Sequence, residues 1–246
     1  MGTLIKKIKE KKTLRNLDDN IVKEYLDDYF KRQPHMKDKL DKARYFKQVV
    51  KEVRNELNKV YGCFCLSDKL DLKANLSTKE RINIYTKLYK DIFEITGEPK
   101  SILDLGCGLN PLSYEYLGCN PKYIASEMNK NDCERLKIWM DENNIKNEII
   151  PADLTKDNIF PKADVCFMFK VLGTIDTKGH KNAEKLIKSL DCNYMVISFS
   201  TKTLKGLRMR FPKRGWFERM VVRLGYVYKK LSYDNEVFYV IRKECS

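Results

Sequence analysis

The chain has no apolar run approaching the ~20 residues that a membrane-spanning helix needs. Its start, Met1-Gly2-Thr3-Leu4-Ile5-Lys6-Lys7, is charged with no apolar stretch behind it, so neither a span nor a secretory signal is expected, and the expected location is cytoplasmic. Histidine is scarce: His35 and His180 are the two in 246 residues. That is too few for the second pair of ligands in a common zinc site. Cysteine is plentiful but unpaired. Cys63, Cys65, Cys107, Cys119, Cys133, Cys166, Cys192 and Cys245 form no C-x-x-C unit, and the spacing of Cys63-Phe64-Cys65 suits no zinc knuckle. Reduced structural thiols and no metal are the expectation. Acidic residues are in deficit, 34 Asp+Glu against 48 Lys+Arg for a net charge of +14, which points to a polyanionic partner, nucleic acid ahead of an anionic membrane surface. Internal repeats and low-complexity tracts are absent.

What is present falls into two parts. From Leu4 to about Tyr61 the chain is rich in Lys, Glu and Asp, with apolar residues at helical intervals: Ile5 and Ile8; Ile21, Val22, Tyr25, Leu26 and Tyr29; Tyr45, Phe46, Val49, Val50, Val53 and Leu57. Several short amphipathic helices follow from that spacing. A linker-like stretch, Gly62 to Leu76, separates them from Ser77-Thr78-Lys79-Glu80, which reads as a capping box for a helix running to about Thr96. Beyond Pro99 the pattern changes to strand, helix, strand. Strands are expected at Ser101–Leu105, Tyr123–Glu127, Glu148–Pro151, Val165–Lys170, Tyr194–Phe199, near Tyr226–Leu231 and at Val237–Arg242. The last two are close enough to form an antiparallel hairpin. This is an α/β, Rossmann-like layout: a seven-stranded, mostly parallel sheet with a helical N-terminal module. The expected boundaries are a module over 1–75 and the sheet domain over 76–246.

The chemistry is concentrated in Asp104-Leu105-Gly106-Cys107-Gly108-Leu109-Asn110-Pro111-Leu112. Two glycines after a buried strand let the backbone turn sharply and approach a ligand closely, and a carboxylate at the strand end, Asp104, can hold a cationic group. A dinucleotide site would want a third glycine where Pro111 stands, and free N–H groups for a pyrophosphate. Pro111 removes one such donor. S-adenosylmethionine has no phosphate and carries an ammonium, so it fits this turn better than NAD does, and the layout reads as a class I methyltransferase. Glu127 ends the second strand, 19 residues after Gly108, where a carboxylate can accept from both ribose hydroxyls. Asp153, after the third strand, can accept from an adenine amino group, with Leu154 packing on the ring. Taken alone, an Asp in that place is more often a turn-former.

Residues 75–242 resemble a known family, the aminoglycoside-resistance 16S rRNA guanine-N7 methyltransferases that modify guanine-1405 of the decoding site. The resemblance rests on Ser77-Thr78-Lys79-Glu80-Arg81, Gly108-Leu109-Asn110-Pro111-Leu112, Ala125-Ser126-Glu127, Phe169-Lys170-Val171-Leu172, Val196-Ile197-Ser198-Phe199 with Lys202-Thr203-Leu204, and Trp216-Phe217-Glu218. It implies that Arg81 pairs with the methionine carboxylate, that Gly106 and Glu127 line the cofactor, and that Asp153 with Leu154 frames adenine. Ser77, Asp104, Cys107, Gly108 and Phe169 complete the candidate cofactor set. It also implies 16S rRNA within the 30S subunit as partner, a monomeric enzyme, and aminoglycoside resistance as the outcome. The family's pattern is departed from at Asn75-Leu76, Lys178, Ser200 and the loop Lys205–Phe211, none of which belongs to the donor-binding set.

No general base is evident, and N7 of guanine needs none: it offers a lone pair and has no proton to lose. The Asp/Asn-Pro-Pro-Tyr/Phe signature of exocyclic-amine methylation is missing after the fourth strand. Cys166 lies inside a strand, where it reads as core rather than as the nucleophile of cytosine-C5 chemistry. Lys170 and Lys205 are the candidates for positioning. From Ser200 to Lys230 there are ten basic residues against the single acid Glu218, and Lys202, Lys205, Arg208, Arg210, Lys213 and Arg214 form the expected RNA-gripping set. Phe211 could stack on an unstacked base; Trp216 reads more readily as core. Residues 1–60 add 17 basic against 10 acidic residues, an RNA-docking surplus. Two other readings stay open: a methyltransferase of the same fold acting at a different rRNA or tRNA position, and a ribosome-binding factor without turnover.

Overall fold

The computed structural model describes residues 1–15, 17–60, 70–175, 179–203, 207, 209 and 214–243. The chain forms two compact units, residues 1–65 with 129–131, and residues 66–128 with 132–246.

Three helices build the first unit: α1 (Gly2–Lys9), α2 (Asp19–Arg32) and α3 (Ala43–Val60). Asp18 starts α2 by accepting the Asn20 N–H at 2.7 Å. The helical spacing of apolar residues becomes one buried stripe per helix: Leu4 and Ile8; Val22, Leu26, Tyr29 and Phe30; Val49, Val50, Val53 and Leu57. Polar ties fix the packing. Arg54 Nε donates to the Ile8 carbonyl at the end of α1 at 3.1 Å, supplying a partner that the helix terminus lacks. Arg32 grips both oxygens of Glu56 at 2.9 and 2.7 Å.

The second unit opens with α4 (Leu76–Arg81) and α5 (Tyr85–Thr96). Then come β1 (Ser101–Leu105), a 3-10 segment over Asn110–Leu117, β2 (Lys122–Glu127), α6 (Lys130–Glu142), β3 (Asn147–Pro151) and β4 (Ala163–Phe169). It closes with α7 (Leu172–Ile175), α8 (Lys181–Ser189), β5 (Cys192–Ser200), α9 (Gly215–Arg223), β6 (Val227–Ser232) and β7 (Glu236–Arg242). The sheet runs β3-β2-β1-β4-β5-β7-β6. All pairs are parallel except those of β7, which lies antiparallel between β5 and β6. The seven strands stand where the sequence places them, to within two residues at each end. No described helix is long and apolar enough to cross a membrane.

Alternation along the strands sorts the core into two layers. Ile102, Tyr123, Val165, Phe167, Val196 and Phe238 face α5 and α6. Leu103, Cys166, Met168, Met195, Ile197 and Tyr239 face α7, α8 and α9. Because β4 and β5 are covered on both sides, they read as continuous apolar runs. The edge strand β6 instead presents Lys229 and Lys230, charges that discourage pairing with another chain.

The expected single helix from Ser77 to Thr96 is two helices, and its cap is not Ser77. Asn75 is the cap residue, accepting the Ser77 N–H at 3.0 Å; an Asn side chain satisfies the first free N–H groups as well as a Ser does. Thr78 is buried, its hydroxyl donating to Leu72 O at 2.5 Å. The break after Arg81 starts a fresh helix at Tyr85, whose buried face carries Tyr85, Leu88, Tyr89 and Ile92.

Phe167 is fully buried and stacks between Tyr89 and Phe169, with ring centroids at 5.9 and 4.9 Å. Phe167→Ala should lower unfolding stability by about 3–5 kcal/mol, read from the urea midpoint at unchanged slope.

Candidate active site

Strand order reverses between β1 and β4, so the loops after these strands open a crevice at the carboxyl edge of the sheet, where open α/β sheets take their ligands. The turn after β1 needs its glycines. Gly106 has φ +60° and Gly108 φ +52°, a region that disfavours side chains with a Cβ. A Cβ on Gly106 would also meet Val171 Cγ2 at 3.0 Å and Leu154 Cδ1 at 3.5 Å. On Gly108 the nearest atom would be Asn75 Nδ2 at 3.8 Å, so this glycine keeps the backbone open to a ligand.

Two buried carboxylates flank the turn. Asp104 is 1% exposed; its Oδ2 accepts from the Tyr123 hydroxyl at 2.6 Å and from Asn110 Nδ2 at 2.9 Å. Burial pushes its pKa up to about 6, against these hydrogen bonds and the charge of Arg81. Glu127 accepts the Gly108 N–H at 3.1 Å on Oε2 and the Met128 N–H at 2.8 Å on Oε1. Burial pushes its pKa up to about 7. The carboxylate at the end of β2 is thus fixed directly to the turn after β1.

An ion network closes the other side. Arg81, 2% exposed, donates through Nε and Nη2 to both oxygens of Glu236 at 3.0 Å each, and its guanidinium lies over Phe169, 4.9 Å from the ring centroid. Lys170, in the left-handed region at φ +61°, pairs with Glu80 at 2.7 Å and with Glu236 at 3.4 Å. Its N–H donates to Ser198 Oγ at 3.0 Å, and Ser198 Oγ in turn bonds Glu236. Burial works against the charge of Glu236, but Arg81 and then Lys170 hold its carboxyl below the usual range.

The structure therefore brings together Arg81, Asp104, Gly106, Gly108, Glu127, Leu154, Phe169 and Lys170. Cys107 is buried beside them, its thiol pushed well above the ordinary range by burial, and so serves as a wall of the turn rather than as a nucleophile. Cys166 is core, with its thiol raised in the same way. Ser77 is engaged through its N–H with Asn75. Asp153 forms the turn that its sequence position by itself favours: Oδ1 accepts the Thr155 N–H at 2.9 Å and the Thr155 hydroxyl at 2.6 Å.

Of the six residues expected to grip RNA, two are described, and both have partners. Lys202 pairs with Asp234 at 2.7 Å. Arg214 is turned inward, donating to Ser200 O at 2.9 Å with its guanidinium over Phe199, and burial lowers its pKa. It braces the segment after β5 instead of standing in solvent. Lys205, Arg208, Arg210 and Lys213 lie outside the described residues, as do Cys63, Cys65, Lys178, Phe211 and most of the expected linker. Trp216 is packed against the core, stacked on His180 at 3.7 Å between centroids and edge-on to Phe199. In the first unit, Lys7, Lys11, Lys47, Lys51 and Arg54 line a groove of about 360 Å³ floored by Phe46 and Val50.

Sequence reasoning missed Glu236 and left Asn110, Tyr85 and Ser198 without roles. Glu236 stands 155 residues from Arg81 and reads locally as a hairpin residue. Its one legible signal is an acid opening an otherwise apolar strand.

Comparison with known proteins gives a consistent set of likenesses. A family described as "Ribosomal RNA methyltransferase (FmrO)" matches residues 66–240. The chain is 26% identical over 239 residues to a 16S rRNA (guanine(1405)-N(7))-methyltransferase of Proteus mirabilis, covering 80% of this chain and 85% of that protein. To the protein of the same name from Micromonospora rosea it is 25% identical over 182 residues, 72% of this chain and 66% of the relative. In fold it is similar to the 16S rRNA methyltransferase RmtF in complex with S-adenosyl-L-homocysteine, at a TM-score of 0.80 and 19% identity over 98% of this chain and 97% of that one.

Glu236→Ala would leave Arg81 buried without its counter-charge, and Lys170 without one of its two. Loss of one member of a buried pair costs about 3–5 kcal/mol, so the variant should unfold at a clearly lower urea concentration; an unchanged midpoint would contradict the network described here.

Proposed function

The chain belongs to the FmrO family of ribosomal RNA methyltransferases, and from that membership we propose that it transfers a methyl group from S-adenosylmethionine to N7 of guanine-1405 in 16S rRNA. The observation that carries this reading is the union of Asp104, Glu127 and Arg81 around the Gly106–Gly108 turn. The donor set fits. A guanidinium suits a carboxylate, a carboxylate suits an ammonium, and a second carboxylate fixed by backbone N–H groups suits ribose hydroxyls. Gly108 leaves its backbone open, and the turn offers no row of N–H groups for a phosphate. Asp153 and Leu154 would border adenine, and Phe169 would back Arg81.

S-adenosylmethionine supplies an activated methyl on a sulfonium. The chain's own residues have only to hold acceptor and donor in line and to exclude water. Guanine N7 carries a free lone pair, so no residue has to remove a proton, in keeping with a site whose acids are engaged in fixed hydrogen bonds. Lys170, tethered between Glu80 and Glu236 at the end of β4, is a positioning group at the rim of the crevice. Basic residues meet the polyanion: those of the groove lined by Lys7, Lys11, Lys47, Lys51 and Arg54, and Lys205, Arg208, Arg210 and Lys213 of the sequence that follows β5. Contacts spread over two regions of the chain suit a target base that must be drawn out of folded RNA. The substrate form is the 30S subunit, the enzyme acts as a monomer in the cytoplasm, and its product confers aminoglycoside resistance.

Two measurements check this. After incubation of 30S subunits, and separately of tRNA, with labelled donor, borohydride reduction and aniline cleavage should cut 16S rRNA at a single guanine, the strand break specific to 7-methylguanine. Label found only on tRNA, or at another rRNA position, would favour the second methyltransferase reading, and no label at all the ribosome-binding factor.

The second measurement uses pH. Asp104 and Glu127 have pKa values raised to about 6 and about 7 in the free protein, and donor binding needs both as carboxylates. Binding should therefore release protons between about pH 5 and 7, and donor affinity should fall as pH drops through that window. Calorimetry in buffers of different ionisation enthalpy would show it. Proton uptake, or no exchange, would contradict these roles.

A further inference from the structure

Asn110 stands between two buried charged groups, Arg81 and Asp104, and it holds both. Its Nδ2 donates to Asp104 Oδ2 at 2.9 Å and lies 3.3 Å from the Tyr123 hydroxyl. Its Oδ1 accepts from the Tyr85 hydroxyl at 3.0 Å and from Arg81 Nη1 at 3.5 Å. The side chain is 2% exposed. Its backbone is held as well: the Asn110 N–H donates to Cys107 O at 2.9 Å, and the Asn110 carbonyl accepts from Ser113 Oγ at 2.6 Å. Pro111 follows in the first turn of the 3-10 segment, where a missing N–H costs nothing.

The orientation of this amide is dictated by charge. Rotating it by half a turn would set its NH2 against the guanidinium of Arg81 and its oxygen against the carboxylate of Asp104, two repulsive contacts in a buried place. An amide offers an acceptor to the cation and a donor to the anion from two separate atoms, whereas a hydroxyl would have to serve both from one. An aspartate there would repel Asp104, and a leucine would leave a buried carboxylate and a guanidinium each short of a partner. The charge of Arg81 acts against the burial that raises the Asp104 carboxyl.

We propose that Asn110 is a positioning residue that holds Arg81 and Asp104 as a matched clamp, making the site selective for a ligand that carries both the carboxylate and the ammonium of an α-amino acid. This rests on the donor reading above and adds to it the source of selectivity for the amino-acid end over the bare thioether nucleoside. The Asn of Gly-Leu-Asn-Pro-Leu then has a job separate from that of the glycines, which accommodate the backbone.

The test compares two probes on the full chain. S-adenosylhomocysteine carries the amino acid; methylthioadenosine keeps adenosine and the sulfur but lacks it. In the native protein S-adenosylhomocysteine should bind the more tightly. Asn110→Ala should weaken S-adenosylhomocysteine by roughly tenfold to a hundredfold, the scale of hydrogen bonds to charged groups, and should leave methylthioadenosine within about twofold. Retained methylthioadenosine binding also reports that the fold survives. Asn110→Asp, of the same shape, is read in the same way if the alanine variant does not fold, and should show the same selective loss. Equal weakening of both probes, or no weakening of either, would overturn the proposal while leaving the donor reading in place. Failure of the native protein to bind either probe would overturn the donor reading and the proposal with it.

Discussion

The bidentate pair between Arg81 and Glu236 is the contact on which the ligand face of the second unit depends. It ties the last residue of α4 to the first residue of β7, 155 positions away, and it does so with both side chains 2% exposed. Taking two charges out of water is costly, and an apolar pair of the same volume often serves stability as well. What the ion pair adds is direction. Two nitrogens along one edge of the guanidinium are committed to Glu236, and the remaining Nη1 turns toward Asn110. The same carboxylate draws in Lys170, so a single acid on an antiparallel strand orients cations from a helix and from the end of a parallel strand.

The position of β7 makes this possible. A purely parallel sheet would bring only strand C-termini to the crevice edge. Insertion of β7 antiparallel between β5 and β6 delivers a strand N-terminus there, with Glu236 opposite Ser200 and close to Ser198. Lys170 takes a left-handed conformation at the end of β4, an unfavourable state for a lysine that surrounding contacts must hold. The bonds from its N–H to Ser198 and from its ammonium to Glu80 and Glu236 do so.

Electrostatics divides the labour within the molecule. The net charge of +14 is long-range and serves association with a polyanion. The crevice is instead built on buried carboxylates, Asp104 and Glu127, whose raised pKa values come from desolvation. A basic protein thereby keeps a small acidic neck at the carboxyl edge of its sheet. Local charge thus runs against the overall sign of the chain.

Periodicity and turn chemistry in the sequence determined the strands, the Gly106–Gly108 turn and the carboxylates at strand ends, because these depend on residues within a few positions of one another. The same locality made Asp153 readable both as a turn-former and as an adenine contact, and the structure adds its bonds to Thr155. Local reasoning failed where a partner is distant. It gave Arg81 no role apart from the one that family resemblance implies, set the cap at Ser77 instead of Asn75, and counted Arg214 among the RNA-gripping cations. Tertiary structure alone decided that Arg81 is buried against Glu236, that Asn110 spans Arg81 and Asp104, and that Lys170 joins β4 to β7. Each of these is a pairing of charged or polar groups across strands remote in the chain, and the energy of such a pairing depends on burial and geometry that no local pattern encodes.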